Sequence, residues 1–251
     1  QQWFDLSDAK VEQEIYDRNS FQRSLDINVA LQPVPDETTV CKFRKLMNEN
    51  NINEKFFKHV LARLTKKWLV MKQWTSVDAT IIKAPSSTKN EDKKRDPEMS
   101  STKTWANYQF GMKAHIGTDS KTWVVHSVAY STASEHDSQE IDNLLHWEEE
   151  FLTWDKAYHS MERKQDCRQK WIFYGIINKA ARWKKLTTKQ QEHNKLMSKI
   201  RAKVEHVFLV VKHLRWHVKT RYRGLQKNAC QFNLLFALTN LYRMRHKLLE
   251  A

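Results

Sequence analysis

The hydrophobic period of the chain changes near residue 72. Before it the spacing is helical: in P-D-E-T-T-V-C-K-F-R-K-L-M the apolar Val40, Phe43 and Leu46 recur every third residue, behind a first turn carrying Asp36 and Glu37. A second helix is predicted from Glu54 to about Lys67, with Phe57, Val60, Leu61 and Leu64 on one face. Asn50, Asn51 and Asn53 separate the two, a spacing that suits a DNA-reading helix-turn-helix and equally a plain helical bundle. From Val77 the pattern turns to strands. V-D-A-T-I-I-K-A reads as the first, followed by a long polar loop through residue 103. Phe110 to Gly117 and Trp123 to Tyr130 form a predicted hairpin across T-D-S-K-T. His136, Asp137 and Ser138 open a helix, F-L-T-W-D is a short fourth strand ending at Asp155, and a basic helix leads to a fifth strand, W-I-F-Y-G-I-I, over 171–177. A long basic helix then carries Ile200, Val204, Phe208 and Val211, and a last apolar helix runs from about Lys227 to Leu249. Strands and helices in this order predict a mixed α/β domain over 73–251, preceded by an all-helical region over 1–72.

Charge sharpens the picture of the C-terminal part. The chain of 251 residues has a formal net charge of +14. Residues 1–180 hold 26 Lys and Arg against 26 Asp and Glu, whereas residues 181–251 hold 17 against 3. Because apolar residues interrupt this block at helical spacing, it is a folded basic surface whose natural partner is a polyanion, with nucleic acid favoured over membrane. No apolar run is long enough to span a bilayer and no charged n-region precedes an apolar segment, so a soluble, unexported chain is expected. It opens Gln1-Gln2-Trp3, without an initiator methionine, and a truncated start is expected. Cys41, Cys167 and Cys230 are too far apart for a metal-ligand pattern and read as reduced thiols. No Gly-rich phosphate loop is present, which argues against an NTP-driven enzyme.

The candidate chemistry lies in three acids. Arg201, Glu205 and Lys212 follow one another at offsets of four and seven, which on one helix would place a carboxylate between two cations on a single face. Asp78 and Asp155 lie inside apolar, strand-like runs. Carboxylates fixed on rigid elements are what two-metal phosphodiester chemistry requires, and without a cation they would raise one another's pKa values. Three acids among 29 are by themselves more simply caps and ion-pair partners. His115 and His126 read as hairpin residues of the core or surface. His136 and Asp137 read as a helix start, and Glu148, Glu149 and Glu150 as a solvated acidic run.

Several segments together narrow the choice: V-D-A-T-I-I-K-A-P-S-S-T-K-N, R-D-P-E-M, F-G-M-K-A-H-I-G-T-D-S-K-T, E-H-D-S-Q, I-R-A-K-V-E-H and R-Y-R-G-L, with P-D-E-T-T near the start. Over nearly its whole length the chain resembles the DDE transposases of bacterial insertion sequences, in the group named after insertion sequence five. The resemblance implies a ribonuclease H-like fold with a five-stranded mixed sheet, and Asp78, Asp155 and Glu205 as the catalytic, metal-holding acids. It implies Mg²⁺ or Mn²⁺, two per active site, and no small-molecule cofactor. Arg201 and Lys212 match the family signature around the Glu and are expected to contact transposon-end phosphates, while Lys219, Arg221, Tyr222 and Arg223 are expected to contact backbone phosphates of DNA because nonspecific affinity comes mainly from cations. Position 198 is Ser198 where the wider superfamily carries Tyr. The implied activity is binding of terminal inverted repeats, cleavage at the transposon ends and joining of the 3′-hydroxyl to target DNA. The implied partners are double-stranded DNA and a second copy on paired ends, in the bacterial cytoplasm. A DNA-binding remnant without catalysis is the alternative, and a host nuclease of the same fold a second one.

The chain departs from the family in one respect. It has 4 glycines and 10 tryptophans, and Trp68, Trp74, Trp105, Trp123, Trp147, Trp154, Trp183 and Trp216 stand where the family pattern has glycine. Trp3 and Trp171 resemble family tryptophans. At a turn needing positive φ, tryptophan in place of glycine costs about 1–2 kcal/mol. A codon read as tryptophan but decoded as glycine, most simply UGA, would account for such repetition.

Overall fold

The computed structural model describes residues 1–91, 93–104, 107–155, 160–178 and 185–250. Four helices come first: α1 (Asp8–Asp17), α2 (Asn19–Leu25), α3 (Glu37–Glu49) and α4 (Ile52–Lys66). Asp36, expected in the first turn of α3, stands one residue before it and caps it by accepting from the Thr39 N–H at 2.7 Å. Phe57, Val60 and Leu64 of α4 bury themselves in one cluster with Ile82 and Met112 of the sheet and with Phe232 and Phe236 of the C-terminal helix α9 (Leu225–Leu249). The apolar face of α4 is therefore spent on the core it shares with the sheet and α9.

The sheet is mixed and has six strands: β1 (Trp74–Lys83), β2 (Ser100–Thr104), β3 (Asn107–Asp119), β4 (Val125–Thr132), β5 (Phe151–Thr153) and β6 (Phe173–Tyr174). Its order is β2-β3-β1-β5-β6, with β4 also on β3. The expected five strands are thus joined by β2, inside the stretch read as loop. β3 is long enough to pair with β1 over Gly111–Asp119 and still offer Asn107–Gly111 to β2. S-S-T-K-T has no apolar alternation, so nothing in its pattern announces a strand. Gly111 is needed where these strands meet, because a Cβ there would lie 2.1 Å from the Ile82 carbonyl oxygen. The fifth expected strand shrinks from 171–177 to Phe173–Tyr174. After β4 come a short 3₁₀ turn, Asp137–Gln139, and α5 (Ile141–Leu144); α6 (Met161–Gln169) lies between β5 and β6.

The long basic helix is not continuous. α7 (Thr188–Ala202), which opens on a capping box of Thr187 and Gln190, stops before Lys203, and α8 (Glu205–Leu209) passes into a π-helical turn, Val210–Leu214. Arg201, Glu205 and Lys212 therefore sit on three successive pieces, not along one straight face as their spacing predicts. Beyond them the chain crosses β1, the Lys83 N–H donating to Val218 O at 3.3 Å and the Thr220 N–H to Lys83 O at 2.7 Å. α9 then begins at Gly224, where the long loop reaches back: Gly224 N–H donates to Asp96 and Leu225 N–H to Glu98, each at 2.7 Å.

Among the described residues five tryptophans have positive φ: Trp68, Trp123, Trp147, Trp171 and Trp216. Four belong to the eight that resembled replaced glycines; Trp74 and Trp154 have no such φ, and Trp105 and Trp183 lie outside the described residues. Trp171, taken from the resemblance as a family tryptophan, joins the left-handed set instead.

Candidate active site

Strand register brings the first two acids together. β1 and β5 run parallel with Ser76 opposite Thr153, so Asp78, in the middle of β1, and Asp155, just past the end of β5, each follow that pair by two residues and reach a similar level on adjacent strands. Neighbouring strands lie about 4.8 Å apart, and an offset of two keeps both residues on one face. Val77 and Leu152 are fully buried beside them, fixing the backbone from which the acids project. Arg201, near the end of α7, closes over this pair and places Nη1 at 3.3 Å from Asp155 Oδ1. Glu205, the first residue of α8 and exposed, is near enough for its charge to act on Asp78.

The electrostatics of Asp78 report this convergence. Burial raises its carboxyl from an ordinary 3.8 to about 6, with the negative charges of Glu205 and Asp155 adding to the rise and Arg201 and the Ala79 N–H opposing it. Asp78 thus feels both other acids and the arginine at once. The donor set, three carboxylates without sulfur or imidazole, is the kind a hard divalent cation takes, and the charge it concentrates is the kind a cation relieves. Among the described residues no group of three or more His, Cys, Asp or Glu is gathered tightly enough to hold an ion in this conformation.

The cations expected at phosphates divide into two kinds. Lys212 is turned inward: its Nζ donates to Thr80 Oγ1 at 2.6 Å and Ile81 O at 2.7 Å, and burial, reinforced by Lys83, lowers its pKa to about 8. Arg221 is tied to the N-terminal segment, pairing with Asp5 at 2.8 Å and donating to the carbonyls of Leu6 and Asp5. The Tyr222 ring lies under the Arg44 guanidinium, which in turn is paired with Asp8. Lys219 and Arg223 are exposed. Arg223 lines a groove with Ser87 and with Lys89, Lys94 and Arg95, three cations of the loop after β1. Sequence reasoning missed this contribution because Glu91 and Asp92 offset the charge of K-N-E-D-K-K-R, and because sequence separation hid its approach to R-Y-R-G.

The remaining candidates are structural. His115 is fully buried against Ser131 Oγ at 2.7 Å. His126 contacts Thr75 Oγ1 at 3.1 Å and Ser127 Oγ at 2.8 Å, and burial, then the neighbouring His146, pulls its pKa down to about 3. Asp137 pairs with Lys113 at 2.7 Å. Glu149 corrects the solvated-run reading: it is buried and accepts the His146 N–H at 3.0 Å, whereas Glu148 and Glu150 on either side are exposed.

Comparison with known families agrees with this architecture. A family model described as a transposase DDE domain matches residues 71–241, and one described as a transposase domain matches residues 1–46. The first match contains every strand of the mixed sheet together with Asp78, Asp155 and Glu205, and the fold it carries is ribonuclease H-like. It covers more than half of the chain, which therefore belongs to the DDE-domain transposases.

Proposed function

We propose that this transposase binds the terminal inverted repeats of its element, cleaves phosphodiester bonds at the ends and joins the freed 3′-hydroxyl to target DNA, acting as a homodimer on paired ends. The observation that carries the catalytic part is the perturbed Asp78, whose carboxyl responds to Glu205, Asp155 and Arg201 together. Asp78, Asp155 and Glu205 would hold Mg²⁺ or Mn²⁺, and bound cations would supply activation of the attacking oxygen and stabilisation of the leaving one. Burial lets Asp78 keep its proton to about pH 6 when no cation is present, so the folded site tolerates Asp78 near Glu205 and Asp155. Arg201 neutralises Asp155 across 3.3 Å and holds a guanidinium where a scissile phosphate would need one. Lys212 supports the far end of β1 through Thr80 and Ile81, and the groove at Arg223, Lys89, Lys94 and Arg95 suits a DNA backbone.

The test is strand transfer on duplexes carrying the element's ends, with Mg²⁺ or Mn²⁺, for wild type and Asp155→Asn. The asparagine variant is expected to bind ends with unchanged affinity and to lose cleavage by at least a hundredfold, about 2.7 kcal/mol of barrier. Wild-type rates in that variant would overturn the site. Salt-sensitive binding without cleavage by the wild type would favour a catalytically inactive remnant, and cleavage that ignores the inverted ends would favour a nuclease.

A further inference from the structure

Ten described non-glycine residues have positive φ, and five of them are tryptophan, at φ between 58° and 63°. Left-handed backbone is uncommon for any residue with a side chain, is tolerated best by Asn and Asp, and is an outlier for bulky residues. Asp5, Asp26 and Asn51 obey that preference; the tryptophans do not. Their settings are those glycine normally fills. After α4, Trp68 N–H donates to Thr65 O and Leu69 N–H to Leu64 O; after α6, Trp171 N–H donates to Arg168 O and Ile172 N–H to Cys167 O. Both pairs of bonds are the Schellman ladder, with tryptophan at its left-handed position. Trp216 ends the π-helical turn, and His217 N–H bonds back to Val211 O at 3.1 Å. Trp123 closes the β3–β4 hairpin on Asp119 O at 2.7 Å, and Trp147 turns the chain between α5 and β5. Trp68, Trp171 and Trp216 are 82%, 94% and 73% exposed as residues, so little packing offsets the backbone strain. Trp3 differs: it has no positive φ, and its ring lies 3.7 Å below the Arg215 guanidinium and 5.6 Å from the Tyr242 ring.

We infer that positions 68, 123, 147, 171 and 216 are glycine in the protein its own cell makes, inserted at UGA codons by a glycine-charged tRNA, while position 3 is a true tryptophan encoded by UGG. UGA differs from the glycine codon GGA in its first base alone, and glycine adopts left-handed backbone without penalty. One consequence rests also on the transposase reading. Where UGA terminates translation, the chain ends at Lys67, before β1 and Asp78, so no DDE domain is made. The element is then confined to cells that own such a tRNA, and this partner sets the range of hosts in which it can move.

Two measurements test the inference. Peptide mass analysis of the protein from the cell that carries the gene is expected to show glycine at all five positions and tryptophan at position 3; tryptophan at the five would overturn it. Independently, thermal unfolding of the chain as written is compared with a triple variant, Trp68→Gly, Trp171→Gly and Trp216→Gly, and with Trp3→Gly. Each left-handed site shifts the folding equilibrium by about 5- to 30-fold, so the triple variant is expected to melt on the order of 10 °C higher and Trp3→Gly lower. A triple variant that melts at or below the parent would remove the geometric ground for the inference.

Discussion

Asp78→Asn keeps the size of the side chain and one carbonyl acceptor while deleting the ionisable group. In the folded protein burial, helped by Glu205 and Asp155, holds the carboxyl at about 6 against an ordinary 3.8. At about 1.4 kcal/mol per pH unit this difference corresponds to roughly 3 kcal/mol, an upper value because Asp78 is only partly shielded from water. The sign follows from which state holds the proton more tightly. Below pH 3.8 both states are protonated and the stability is fully present; as pH rises through about 6 the folded protein must release a proton it favours, and stability is lost. Asparagine carries no such dependence. The stability of Asp78→Asn minus that of wild type is therefore expected to be small at pH 4, about half developed at pH 5, and close to 3 kcal/mol above pH 7. Urea unfolding across that range, with a chelator present and unfolding slopes compared to exclude a change of state, measures it directly. A difference that stays flat with pH, or a less stable variant at pH 7.5, would refute the burial of the Asp78 carboxyl beside Glu205 and Asp155.

The same crowding predicts that Mg²⁺ raises the wild-type unfolding midpoint at pH 7 in proportion to the logarithm of its concentration, and that Asp78→Asn abolishes the response. Removing Lys94 or Arg223 is expected to lower the salt dependence of DNA affinity by about one unit of slope each, whereas Lys212→Ala leaves the slope unchanged because its ammonium is held by Thr80 and Ile81. Titration of affinity between low and moderate salt separates the two. Arg221→Ala breaks the pair with Asp5 and two bonds to backbone carbonyls; a loss of about 1–3 kcal/mol is expected, with faster amide exchange over the first eight residues.

What could be read from the sequence was what leaves a local pattern. The helices after Asp36, the hairpin around T-D-S-K-T and the first β-strand follow from period, caps and turn residues, and α9 begins two residues before its expected start. Asp78 was legible as an acid inside an apolar strand, and family motifs directed attention to Glu205. The break between α7 and α8 was not legible, because R-A-K-V-E-H contains neither glycine nor proline and continues the helical apolar period. Neither was the burial of Glu149, which depends on a histidine three residues earlier folding back upon it. Arg221 and Lys212 were read as phosphate ligands because charge and spacing say nothing about which carbonyl lies nearby. Pairing across more than 200 residues, such as Arg221 with Asp5, is a property of the assembled fold alone.

The contact of Asp96 and Glu98 with the start of α9 governs what a nucleic acid encounters there. A helix of 25 residues presents about half a positive charge at its N-terminus, along with unsatisfied N–H groups that ordinarily welcome phosphate. Here two carboxylates from the β1–β2 connection already occupy the first of those donors, so the protein supplies its own anion to the positive pole of its longest helix. A polyanion laid along R-Y-R-G would meet the exposed Arg223 side chain, since Arg221 is held by Asp5 and by two carbonyls, and would find no open backbone clasp at Gly224 and Leu225. If this groove takes DNA as proposed, the grip is by side chains alone, with the pole of the helix already filled by the protein's own carboxylates.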